Sequence, residues 1–167
     1  MRLRKFDERL FAAMIMRRHP VLDRLMRALT HLGDAAVTIG ISLIALTGVL
    51  PGGRLTGLHA ALTLAVSHGL VQFLKRTVSR ARPRLPVGFG FLVVPPDRFS
   101  FPSGHATSSL AVALPFAFAL GGVASLAVVA LALTVGFSRC YLGVHYPGDV
   151  VMGWVLAVGT YGGFLLA

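Results

Sequence analysis

The chain has 167 residues, 55% of them hydrophobic and only 13% charged, where soluble domains carry about 25% charged residues. Sixteen Lys and Arg against six Asp and Glu give a formal net charge of +10, and Cys140 is the single cysteine. This inventory excludes a disordered chain, a coiled coil, a water-soluble enzyme, a disulfide framework and a multi-cysteine zinc site.

Residues 1–32 are too interrupted to span a bilayer. The apolar stretch Leu10–Met16 is short and bounded by Arg9 and Arg17. Beyond Pro20, Val21, Leu22, Leu25, Met26 and Leu29 recur at helical spacing, with Asp23, Arg24 and Arg27 on other faces. That pattern predicts an amphipathic helical segment lying in the membrane interface. Arg17-Arg18 stands where a signal-peptide cleavage site would need small residues, so a cleaved leader is not expected.

Four runs without Asp, Glu, Lys or Arg follow: 19 residues after Asp34, 20 after Arg54, 40 after Arg98 and 18 after Asp149. A spanning helix takes about 20 residues, so the longest run holds two helices that turn at Gly121-Gly122. The expected spans are 35–52, 56–74, 104–120, 122–139 and 148–166. The fold class is therefore all-α: a polytopic membrane helix bundle of about five transmembrane helices plus an N-terminal interfacial amphipathic helix. It is read as a single domain over 1–167. The connector 76–103 holds Pro83, Pro86, Pro95, Pro96 and Pro102, which forbid a continuous helix. Its apolar centre, Val87–Val94, suits contact with lipid, and a loop this long in a small protein is usually functional.

The basic residues collect in two places, eight within 1–30 and six between 75 and 98. Charge gathered beside long apolar runs is a membrane pattern, which points to anionic lipid or a phosphate substrate and away from nucleic acid. With five spans, the connectors 75–103 and 139–147 fall on one side. Lys75, Arg82, Ser103, His105, Arg139, His145 and Asp149 are thereby brought to one membrane face. Ser103 precedes a helix as a natural N-cap, so the amides from Gly104 and His105 onward present free N–H groups to an anion. Arg matches phosphate oxygens, His carries protons or attacks near neutral pH, and Asp149, four residues past His145, can orient its ring.

The stretches KRTVSRARP (75–83), PSGH (102–105) and SRCYLGVHYPGD (138–149) resemble, in order, the three signature motifs of the type 2 phosphatidic acid phosphatase (PAP2) superfamily. That superfamily includes lipid phosphate phosphatases, glucose-6-phosphatase and vanadium haloperoxidases. The resemblance implies a phosphatase working through a phosphohistidine. His145 would be the nucleophile and Asp149 its ring partner. His105 would be the acid and then the base. Lys75, Arg82, Ser103, Gly104 and Arg139 would hold the phosphoryl oxygens. No metal or other cofactor is expected, because the six acids form no cluster suited to Mg²⁺.

Other groups have plainer readings. Arg76, Arg80 and Arg84 read as solvated or lipid-facing charges, and His31 and His59 as ordinary polar residues. His68, inside the second span near the face of Lys75, is an intramembrane ionisable group, a functional candidate in its own right. Its first reading is nonetheless a hydrogen-bonded structural histidine.

The substrate is expected to be a lipid phosphate: a polyprenyl-phosphate-linked sugar phosphate, phosphatidylglycerol phosphate or phosphatidic acid. A polyprenyl diphosphate at an outward-facing site is the alternative, and a non-enzymatic transporter or pseudo-phosphatase is the reading from another class. The basic N-terminus predicts an inner-membrane protein with its site on the cytoplasmic face. Oligomeric state is left open.

Overall fold

A computed structural model describes residues 2–166, which form seven α-helices. They are α1 Arg2–Ile15, α2 Pro20–Thr30, α3 Ala35–Leu46, α4 Gly53–Val78, α5 Gly104–Leu120, α6 Gly122–Tyr141 and α7 Pro147–Leu166. A 3₁₀ turn, His31–Gly33, joins α2 to α3. Among the described residues there is no strand, only one isolated bridge between Ala81 and Phe99.

By length and composition α4, α6 and α7 can each cross a membrane. Helix α5, with 17 residues, is shorter; its uncharged second half is apolar and its polar residues lie in the first two turns. Helix α3 departs from expectation. It ends at Leu46, so its 12 residues reach about 18 Å, against roughly 30 Å of hydrocarbon. An uncharged run is not by itself a helix: Thr47–Gly52 contains Gly48 and Gly52 at positive φ and Pro51, and forms turns. Helices α2 and α3 are long and apolar enough for a span only taken together, and they are bent by 49° at their junction.

Helix α5 is the hub, packing against α3, α4, α6 and α7. Its inward face is polar for a buried helix. Thr107, Ser108 and Ser109 are buried, and each hydroxyl donates to a backbone carbonyl, of Ser103, Gly33 and Ala106 respectively. Buried hydroxyls are tolerated when bonded in this way. The Ser108–Gly33 bond (2.9 Å) also fastens the turn before α3 against the first turn of α5. Small residues set the other approaches. A Cβ on Gly57 of α4 would overlap the backbone of Ala45 in α3. One on Gly153 of α7 would lie 2.8 Å from the Ser103 carbonyl oxygen and 2.8 Å from the Thr107 hydroxyl.

The N-terminal region is two helices rather than one amphipathic segment. Phe11 and Ile15 of α1 and Met26 and Thr30 of α2 are buried. Helix α1 lies against α6 and α7, and α2 against α6. The loop from 79 to 103 folds back onto the same end. The Leu92 amide donates to the Leu142 carbonyl, and Leu92 and Val93 pack on Met26, Tyr141 and Leu142. Val87 and Val94 stay exposed.

Candidate active site

The residues singled out from the three motifs meet at one end of the bundle. Lys75 closes α4, Arg139 closes α6, Ser103 caps α5, His145 sits in the tight connector between α6 and α7, and Asp149 is in the first turn of α7. The Ser103 amide donates to the Asp149 carbonyl (2.9 Å), so the starts of α5 and α7 are joined directly. The Val144 and His145 amides both donate to the Arg139 carbonyl, at 3.1 and 3.3 Å. Lys75, Gly104, His105 and His145 line one cavity of about 460 Å³ that continues between α3 and α4.

The cations are almost out of water. Lys75 is 5% exposed and Arg139 2%. Asp97, which no motif includes, compensates two of them: Lys75 Nζ donates to Asp97 Oδ2 at 2.8 Å, and Arg82 Nη2 to Asp97 Oδ1 at 2.9 Å. Burial raises the Asp97 carboxyl, but Lys75 and Arg82 outweigh it and hold the group below the usual carboxylate range. Arg139 donates to the Thr30 hydroxyl (2.7 Å), and its Nε has no partner among the described residues.

The nucleophile candidate has a defined tautomer. Arg82 Nη1 lies 3.3 Å from His145 Nε2. A guanidinium only donates, so this ring nitrogen carries the lone pair and the proton is on Nδ1. Nδ1 is 3.7 Å from Asp149 Oδ2 and has no hydrogen-bond partner. Asp149 is in contact with the ring but not bonded to it. Its oxygens accept from Arg80 Nη1 (2.7 Å) and from the Tyr146 amide (2.8 Å). Burial, reinforced by Arg82 and Arg139 and opposed by Asp149, pushes the His145 imidazole down to about 4.

Two neighbours of the candidate site are not legible in the sequence. Asp34, at the N-terminal end of α3, accepts from His105 Nε2 on one oxygen and faces His31 Nδ1 with the other, both at 2.8 Å. Burial raises its carboxyl, but the two imidazoles prevail and lower it. An acid one residue before an apolar run was the available signal, yet only the α5 packing gives it His105 as a partner. Arg80 corrects the expectation of a solvated charge. It is paired with Asp149 and with Asp7 of α1 (2.7 Å each) and lies 4.1 Å over the Tyr146 ring. Asp7 in turn accepts from the Gly148 amide (2.8 Å), so α1 is fastened to the start of α7.

Comparison with known proteins agrees with this geometry. The profile of the PAP2 superfamily matches residues 56–166. The chain is 41% identical over 132 residues to decaprenylphosphoryl-5-phosphoribose phosphatase of Mycobacterium tuberculosis, covering 78% of this chain and 71% of that protein. It is 29% identical over 163 residues to phosphatidylglycerophosphatase B of Bacillus subtilis, covering 91% and 78%. Among solved structures, Aquifex aeolicus LpxE superposes with a TM-score of 0.84 at 24% identity, covering 95% of this chain and 94% of that one, a likeness of fold. The PAP2-type phosphatidylglycerolphosphate phosphatase from Bacillus subtilis gives 0.74 at 28% identity, covering 97% and 85%. With the motifs converging in space and the profile spanning most of the chain, this multi-pass membrane protein belongs to the PAP2 superfamily and is a phosphoric monoester hydrolase of that family.

Proposed function

We propose that the protein removes a terminal phosphate from a membrane lipid by way of a phosphohistidine on His145. The observation that carries this reading is the unprotonated Nε2 of His145, 3.3 Å from Arg82, in a site that also holds the buried cations Lys75 and Arg139. In the first half-reaction the Nε2 lone pair bonds to phosphorus while the bond from phosphorus to the lipid oxygen breaks. His105 gives its proton to that oxygen. In the second half His105 takes a proton from water, the water oxygen bonds to phosphorus, and the nitrogen–phosphorus bond breaks, releasing phosphate. Phosphoryl transfer asks for alignment and charge stabilisation. Lys75, Arg82, Arg139, Ser103 and the Gly104 amide supply both. Arg82 moves from the ring nitrogen to a phosphoryl oxygen as substrate enters, and Asp149 stabilises the imidazolium that develops on His145. The step as written uses no metal ion.

The lipid tail is accommodated by the cavity between α3 and α4, whose walls include Ile39, Leu43, Leu64 and Val71. A polyprenyl-phosphate-linked sugar phosphate is the substrate favoured by the likeness to decaprenylphosphoryl-5-phosphoribose phosphatase. The eight Lys and Arg of residues 1–30, which share the site's side, support a cytoplasmic-facing site in the inner membrane.

Asp34 completes the acid. A carboxylate only accepts, so His105 Nε2 carries a proton and Nδ1 is left to exchange the catalytic one. That hydrogen bond fixes the ring orientation and makes Asp34 a positioning residue for His105.

Four outcomes follow for measurement. In detergent, phosphate release from lipid phosphates is expected to survive EDTA and to fall by about 10³-fold or more in His145→Ala; dependence on Mg²⁺ would falsify the mechanism. In ¹⁵N spectra the His145 ring should be neutral at pH 6, where an ordinary histidine is roughly three-quarters charged, and should protonate only as pH falls towards 4. Asp34→Asn should lower kcat/KM about 10²-fold on an alkyl phosphate but less than about threefold on 4-nitrophenyl phosphate, whose leaving group needs no proton; equal losses would make Asp34 merely structural. A reporter fused after Ala167 should lie outside the cytoplasm, and a cytoplasmic signal would overturn the orientation.

A further inference from the structure

His68 and Gln72 stand apart from the catalytic machinery. They lie on the same face of α4 as Lys75, at i, i+4 and i+7, about 10 and 4.5 Å deeper into the membrane at 1.5 Å per residue. Both line the cavity that also holds Lys75, His105 and His145, among Ile39, Leu43, Leu64 and Val71. Both are exposed rather than packed. The two side chains are 3.0 Å apart, Nε2 to Nε2, and among the described residues they bond to each other and to nothing else. The amide N–H donates to the ring, so the ring keeps its Nδ1–H and the amide keeps one N–H and its carbonyl. Polar groups at that depth are expensive in hydrocarbon and earn their place by meeting a polar partner.

Substrate geometry supplies one. When a terminal phosphate reaches Lys75 and His145, the rest of the head group must run down the cavity. A plain lipid phosphate then presents hydrocarbon or ester at the level of Gln72. A head in which a polyol separates two phosphates presents hydroxyls at that level, and its inner phosphodiester near His68, where water is scarce. We infer that His68 and Gln72 form a second polar subsite, inside the bilayer, for the polyol and inner phosphodiester of such a substrate. Their N–H groups match hydroxyl and phosphodiester oxygens. The subsite rests on the reading of this protein as a lipid phosphatase and makes it selective for spaced head groups over phosphatidic acid or a plain polyprenyl phosphate. A sugar and a glycerol spacer share this chemistry.

The test compares kcat/KM in one detergent for three lipids: a polyprenyl-phosphoryl pentose phosphate, phosphatidylglycerol phosphate and phosphatidic acid. Wild type is expected to favour at least one spaced lipid over phosphatidic acid. Gln72→Leu and His68→Leu should each cut that ratio by about tenfold, the effect of a lost hydrogen bond to a charged or desolvated group. The spaced lipid whose ratio falls more identifies the spacer. Because the ratio is taken within one preparation, a partly unfolded variant does not mimic the effect. A ratio unchanged in both variants would mean that the pair only braces α4, and would overturn the subsite. Efficient hydrolysis of phosphatidic acid with no preference for a spacer would also overturn it while leaving the phosphatase reading intact. Failure of wild type on all three lipids would remove the phosphatase reading and the subsite together.

Discussion

Three cations held out of water in one small volume are the constraint around which this structure is organised. Lys75 and Arg139 are buried, and Arg82 keeps 9% of its side-chain surface. Like charges in a low-dielectric pocket repel, and each has lost hydration that only close partners replace. Asp97 answers this demand by bridging Lys75 and Arg82, which requires the loop from 79 to 103 to turn back over the end of α4. Arg82 completes the turn by donating to the carbonyls of Asp97 and Val144. The path of the longest irregular segment thus follows from where its charges must be neutralised. Donors already fixed in place reorganise little when a phosphoryl group develops charge, and that is the condition for strong electrostatic stabilisation.

The same requirement draws in the N-terminal helices. Arg80 is shared between Asp149 and Asp7, and Thr30 supports Arg139. Arg18 of the connector between α1 and α2 donates to the Tyr141 and Gly90 carbonyls, and the Tyr141 hydroxyl donates to Asp23. These N-terminal partners precede residue 56, where the family profile begins to match. The motif segments carry the candidate reacting groups, but the counter-charges and hydroxyls that hold them come partly from elsewhere. Asp34 belongs to this outer set. It gives His105 a carboxylate partner as Asp149 gives one to His145, so each imidazole has an acid from a different helix end.

Legibility in the sequence followed the range of the interaction. The spans at α4 to α7 were readable because hydrocarbon demands long runs without charge, a local property of composition. The run from 35 to 53 reads as a full span for the same reason: it is uncharged, but the helix ends at Leu46 and Gly48, Pro51 and Gly52 form turns that carry no charge either. Arg80 reads as a solvated charge in the sequence because its partners are 69 and 73 residues away, and no periodicity links Asp7 to Asp149.

Read along the chain, the residues establish a multi-pass membrane protein and bring the three motifs to one face, and the resemblance of those motifs to the PAP2 signatures names the candidates for attack, proton transfer and phosphate binding. Hydropathy, the alternation of spans and the motifs are all local properties of the chain. The tertiary structure alone sets which acid faces which base. It gave Asp97 to Lys75 and Arg82, Asp34 to His105, and Arg80 to Asp149, and it set the His145 ring with its lone pair towards Arg82. Charge pairing in a buried site depends on distances of about 3 Å between segments far apart in the chain, and such distances exist only once the helices have packed.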